Sequence, residues 1–261
     1  MTEIYVDLIN VLIPIHQQVC GINPALRRLY PVVIAEGDTL LVHDCDDAQQ
    51  SYHFAKSSPA PMPIPTGVRA AFQLEDYGGR IVCVVTPEVF DSKEGYVTIL
   101  HEFVHCYQYE TCEQQLKMTL DVARQAQEQN NYMWEIQHPF PYQANAFIRS
   151  YGAFLHALSF GAGMDDEHPV QNARQELRTY LGRHDFEYMV WQEWKEGFAR
   201  WVENRLQEKL GLCVNNGGMD LPFSRVTFYA GGAAFIEFLD RRTPGLVNDL
   251  ALLFSIMMKT T

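Results

Sequence analysis

Five consecutive residues, His101-Glu102-Phe103-Val104-His105, carry side chains whose types and spacing suit metal chemistry. Residues four apart stand one above the other on an α-helix, so two imidazoles at this spacing reach one cation while the helix stays undistorted. Imidazole nitrogen suits Zn2+, and a catalytic zinc with three protein ligands keeps a fourth position for a water whose pKa falls to about 7. A glutamate beside that water, here Glu102, is placed to act as general base. On a helical wheel Leu100, Phe103, Val104 and Tyr107 form a core stripe, while His101, Glu102, His105, Tyr109 and Cys112 share nearly the opposite side. The wheel turns the polar triplet away from the sheet, toward a second covering layer.

The pattern needs a third ligand. Metzincins place glycine and histidine shortly after the second histidine, but Gln108 and Thr111 stand there. The Gly-Thr-x-Asp stretch of aspartate-ligand zincins has no counterpart, Gly182-Arg183-His184-Asp185 being a weak imitation. A glutamate on a second helix fits, and the segment from Trp191 to Glu203 supplies one. There Trp194, Phe198, Trp201, Val202 and Leu206 make an apolar face and Glu196 projects from the other side. Gly197 and Ala199 leave space for a close approach to the metal helix, which would bring a carboxylate oxygen to a ligand distance of about 2.0–2.2 Å. Glu196 is the expected third ligand, although Glu193 and Glu203 have similar spacing.

The order of these motifs resembles the gluzincin type of zinc metallopeptidase. It runs from His101–His105 through Glu196-Gly197-Phe198-Ala199 to Tyr229-Ala230-Gly231-Gly232, covering about the C-terminal two-thirds of the chain. The resemblance implies a zincin-like fold, Zn2+ held by His101, His105 and Glu196, Glu102 as catalytic base, and Tyr229 as the group that hydrogen-bonds the oxyanion. It implies a peptide or protein substrate. The interval between His105 and Glu196 is much longer than in the thermolysin-like and aminopeptidase branches, and no Gly-x-Met-Glu-Asn stretch is present, so endopeptidase and exopeptidase both stay open. The segment His138 to Asn145 is similar to zincins with a Glu-x-x-Ala-Asn ligand helix, but Gln143 lacks the charge to bind zinc well.

These residues must be positioned by a larger frame. Residues 4 to 20 have a helix-like pattern in which Pro14 starts or kinks a second segment. Pro31–Ala35 and Thr39–His43 around Gly37-Asp38 read as one hairpin, and Val68–Leu74 and Arg80–Thr86 around Gly78-Gly79 as another. Lys56 to Gly67, with four prolines, reads as loop. From Gly95 the period changes to 3.6, with amphipathic segments near 95–129, 141–160, 169–181, 186–210, 226–240 and 244–258. A sheet followed by helices is the α+β order. We expect an N-terminal lobe over 1–94 with a mixed or antiparallel sheet, a helical lobe over 95–261 carrying the metal site, and the active site between them. The strand Arg80–Thr86 is expected to pair with an extended peptide.

Composition narrows the function classes. The chain has 261 residues, enough for a sizeable core, and its net charge of -12 repels phosphate backbones and anionic lipid surfaces. No basic stripe or Gly-rich phosphate loop is present, so neither nucleic acid nor membrane is expected as a partner. The start Met1-Thr2-Glu3, with Asp7, lacks the basic region of a secretory signal, and the six cysteines form no C-x-x-C pair. Both features suit reduced thiols in the cytoplasm. The remaining histidines lack ligand spacing, and Trp191, Trp194 and Trp201 at helical spacing suit a core. Two other classes share these features: a catalytically silent zincin-fold binding or regulatory protein, and an α+β interaction protein in which the histidine motif is accidental.

Overall fold

The structure is a computed structural model that describes residues 2–46, 48–161 and 168–259. The chain is α+β, with a five-stranded mixed sheet near the N-terminus followed by a mostly helical part. It divides into two compact units, Met1–Thr111 with Val202–Val214, and Cys112–Trp201 with Asn215–Thr261. Among the described residues no helix is long and apolar enough to cross a membrane.

The first unit opens with α1 (Thr2–Asn10) and α2 (Leu12–Val19). The second segment starts two residues before Pro14, which therefore sits in the first turn, where its missing N–H breaks no helical bond. The strands are β1 (Val32–Glu36), β2 (Thr39–Asp46), β3 (Ser51–Pro59), β4 (Arg69–Leu74) and β5 (Arg80–Val85), arranged β3-β2-β1-β5-β4. Both expected hairpins form, and the sheet is mixed because β1 and β5 pair in parallel. The stretch expected as loop gives its first four residues to β3, a strand at the sheet edge. An edge strand buries one rim only, so a polar sequence ending in proline is tolerated there. The same topology corrects the expectation for Arg80–Thr86: β5 is paired with β1 on one side and β4 on the other, and has no open edge for a peptide.

The central strands β1 and β5 are buried almost throughout, as strands covered on both faces must be. On one face Val33, Ala35, Leu40, Val42, Val82 and Val84 form a cluster covered partly by Ala60 and Ile64 of the proline-rich loop. Helix α3 (Lys93–Gln108) packs against β4 and β5 within the same unit. Its start is fixed by the Ser92 hydroxyl, which accepts the Gly95 N–H at 3.2 Å. The helix expected over 95–129 is interrupted: a π-helical segment follows at Tyr109–Glu113, then the short α4 (Gln114–Lys117), an extended Leu120, and α5 (Asp121–Glu128).

The second unit continues with α6 (Trp134–Gln137), α7 (Asn145–Gly161), α8 (His168–Tyr180), α9 (Arg183–Leu210), α10 (Arg225–Arg242) and α11 (Leu250–Met258). The tail of α9 from Val202 belongs to the first unit, although the helix itself is unbroken. The tryptophans of α9 are core residues: Trp191 and Trp194 are fully buried, Trp194 Nε1–H donates to the Leu250 carbonyl at 3.0 Å, and Trp201 Nε1–H to Glu237 at 2.8 Å. Buried charges are paired. Arg174 meets Glu193, which also accepts from the Tyr151 hydroxyl. Lys195 bridges Glu113 at 2.8 Å and Glu135 at 3.0 Å, and Lys117 also reaches Glu135.

Helices α9 and α10 touch backbone to backbone. A Cβ on Gly197 would lie 2.7 Å from Gly232 Cα, and one on Gly232 would lie 2.3 Å from the Glu193 carbonyl oxygen. The room that Gly197 provides is thus taken up by α10. Gly232→Ala is expected to destabilise the chain by about 1–3 kcal/mol through overpacking. Gly152→Ala in α7, where nothing lies within 4 Å of the added carbon, should stabilise by roughly 0.5–1 kcal/mol. Denaturant unfolding of the two variants measures both signs.

Burial alone would raise the Glu135 pKa, but Lys195 and Lys117 outweigh it and hold this carboxyl at about 2, against an ordinary 4.5. A depressed carboxylate pKa contributes stability that is fully present above the unfolded value and is lost as pH falls through the folded one. Between about pH 4.5 and 2 the wild-type midpoint should therefore drop, and Glu135→Gln should flatten that part of the profile.

Candidate metal centre

Helix α3 carries His101, Glu102 and His105, and all three are buried. The wheel places them on one polar face, and the structure covers that face too. His101 Nδ1 lies 2.8 Å from Glu203 Oε2, within the first unit. An ionised carboxylate only accepts, so Nδ1 carries the proton. His105 Nδ1 lies 2.9 Å from the amide oxygen of Gln108 one turn further along α3, which again makes Nδ1 the donor. The two Nε2 atoms lie 3.2 Å apart.

Glu196 completes the group. The possible ligand atoms of His101, His105 and Glu196 lie within 4.8 Å of one another, and these residues could hold a metal ion. Glu196 stands seven residues before Glu203 on the unbroken α9, two turns along the same stripe and roughly 10 Å away along the axis.

The other expected residues fall as follows. Glu102 stands near enough to Cys83 on β5 and Cys106 on α3 that its charge, after burial, pushes both thiols up. Tyr229 lies in the second turn of α10, with the Arg225 and Arg200 guanidinium groups 5.5 and 5.8 Å from its ring centre. Arg225 also faces Glu196 at 3.9 Å, so Tyr229 and Glu196 share a cationic neighbour. Glu193 is engaged by Arg174 and Tyr151, and Gln143 donates to the Phe223 carbonyl at 2.6 Å. Among the other histidines, His16 and His43 have backbone carbonyl partners and His138 faces Asp185.

Sequence reasoning did not assign the roles of Glu203 and Gln108. The signals were present: a seven-residue interval between Glu196 and Glu203, and a three-residue interval between His105 and Gln108, each of which sets two side chains on one helical face.

Comparisons with known protein families, with curated proteins and with solved structures found no match to this chain.

Partners on the far nitrogen of a ligating histidine fix its tautomer and raise its basicity, and losing one typically weakens metal binding 10–100-fold. Glu203→Ala should weaken metal binding by about that factor in competition with a chromogenic chelator, while Glu203→Gln, which keeps an accepting oxygen, should lose less. Unchanged affinity in Glu203→Ala would show that this carboxylate has no part in the site.

Proposed function

We propose that this chain is a zinc-dependent hydrolase of the gluzincin type that cleaves peptide bonds. The observation that supports it is the pair of Nε2 atoms 3.2 Å apart, with each Nδ1 held by a partner of its own. Two lone pairs at that distance repel unless a proton or a cation is shared between them. Two nitrogens bound at about 2.0–2.1 Å to one tetrahedral zinc would stand roughly 3.3 Å apart, which fits. His101, His105 and Glu196 form a two-nitrogen, one-oxygen donor set, the composition that leaves zinc a fourth, open position.

A bound zinc supplies Lewis acidity, lowering the pKa of water and polarising a carbonyl. The protein's part is proton transfer and positioning. Glu102 takes a proton from the attacking water and returns it to the leaving amine, so the carboxylate is regenerated in each turnover. Glu102 is buried beside the two histidines on α3. The Tyr229 hydroxyl donates to the oxygen that gains charge as water adds to the carbonyl. Arg200 and Arg225 beside its ring place positive charge where it favours that donation. Peptides and proteins are the proposed substrates, and the six free thiols suit a reducing, cytoplasmic setting.

Elemental analysis and a peptide-library assay test this reading together. The wild type should carry one zinc per chain, and Glu196→Ala should lose it or bind it far more weakly. Chelation should stop hydrolysis and added zinc restore it. Glu102→Gln should keep its zinc while turnover falls by about 10²–10⁴-fold. Zinc without hydrolysis of any library member would mark a silent binding protein instead, and absence of zinc after reconstitution would overturn the metal reading altogether.

A further inference from the structure

Helix α10 begins with Arg225, directly behind the Ser224 cap, and that position is unfavourable for a cation. The N-terminal end of a helix carries partial positive charge, which repels a guanidinium in the first turn, whereas Arg241 and Arg242 in the last turn are attracted. Helix stability therefore gives no reason for an arginine at position 225.

The surroundings of Arg225 supply a different reason. Among the described residues its guanidinium makes no hydrogen bond, and its ionic partner is Glu196, 3.9 Å away. That distance is beyond hydrogen-bond reach, so the fork of N–H donors is still available to an acceptor. The side chain is 34% exposed, and the Tyr229 ring lies 5.5 Å from the guanidinium carbon. Tyr142 and Tyr188 stand within reach of its charge: burial pushes both hydroxyls up, and Arg225 works against that shift. These two hydroxyls lie 3.2 Å apart and Tyr188 donates to the Glu135 carbonyl, so both are engaged away from the guanidinium. A planar fork of donors, open to solvent, flanked by aromatic rings and set beside a candidate metal ligand, suits a carboxylate.

We propose that Arg225 binds the C-terminal carboxylate of a peptide, which makes the hydrolysis proposed above that of a carboxypeptidase and rests on that reading. Only N and Cα separate the carbonyl carbon of a peptide's last amide from its terminal carboxyl carbon, a span of about 3–4 Å. An aspartate or glutamate side chain carries its carboxyl carbon one or two bonds farther along. The 3.9 Å between Arg225 and Glu196 suits the shorter span. In the reaction the last C–N bond breaks, the acyl carbon takes the hydroxyl of water, the amine takes its proton, and one free amino acid leaves. In a chain of net charge -12 this cation also offsets the general repulsion of an anionic terminus.

A peptide library offered to the zinc-loaded wild type, once as free acids and once as C-terminal amides, tests the proposal by mass spectrometry. Expected is loss of single residues from the C-terminus, at least tenfold faster for acids than for amides. Arg225→Gln should bring that ratio below twofold while one zinc per chain is retained and circular dichroism shows an unchanged fold. Binding gives a second readout. Calorimetric titration of zinc-loaded Glu102→Gln should show the best free-acid peptide bound at least tenfold tighter than its amide, and adding Arg225→Gln should erase the difference. Internal cleavage, or equal rates on acids and amides, would overturn the proposal and leave the hydrolase standing. An acid preference that survives Arg225→Gln would also overturn it, placing the terminus elsewhere, such as on the metal. Amides ending in aspartate or glutamate that are cleaved as fast as free acids would overturn it in favour of an acidic side chain. A library left wholly uncleaved by zinc-bearing protein would remove the hydrolase reading and this inference with it.

Discussion

Two imidazole nitrogens face each other at 3.2 Å, and their outer nitrogens are both tied down, an arrangement on which the site is organised. Glu203 ties His101 and Gln108 ties His105. Each tie fixes a ring orientation and favours a proton on Nδ1. A histidine pair without such partners could sample four tautomer combinations and several ring angles. Here the helix spacing brings the rings together, and the outer hydrogen bonds select one combination.

Helix α9 meets a second demand, which is to present Glu196 at a fixed angle. Within the second unit its flanking residues are anchored on several sides: Glu193 by Arg174 and Tyr151, Lys195 by Glu113 and Glu135, Gly197 by direct contact with Gly232. Buried ion pairs are weak contributors to net stability, because desolvation offsets much of their Coulomb attraction. Breaking one is costly, however, since removing one partner leaves a buried charge uncompensated. Around Glu196 they engage α9 from two sides, Glu193 with Arg174 and Lys195 with Glu113 and Glu135.

How much of this could be read in the sequence followed from how local each feature is. The two hairpins were legible because turn residues and alternation lie within a dozen positions of each other. Strand β3 was not, because an edge strand needs no apolar run and its Ser-Lys-Pro content reads as loop. The histidine pair is an i, i+4 pattern and declares itself. The bond from His101 to Glu203 spans 102 positions, and no wheel drawn on one helix can pair it with another. Gly197 shows the same limit from the other side. Its size announced a close neighbour correctly, but the neighbour is α10. A small residue tells that something approaches without telling what.

The discontinuous make-up of the first unit bears on how the protein is made. Val202–Val214 belongs with Met1–Thr111, and the 90 residues from Cys112 to Trp201 come between them in the chain. A ribosome adding about 5–20 residues per second takes roughly 5–18 s to cross that interval. For that time the sheet and α3 are already synthesised while Glu203 does not yet exist, and His101 lacks the acceptor that sets its tautomer. The ordered imidazole pair is therefore a late product of vectorial synthesis, completed only when the tail of α9 has emerged.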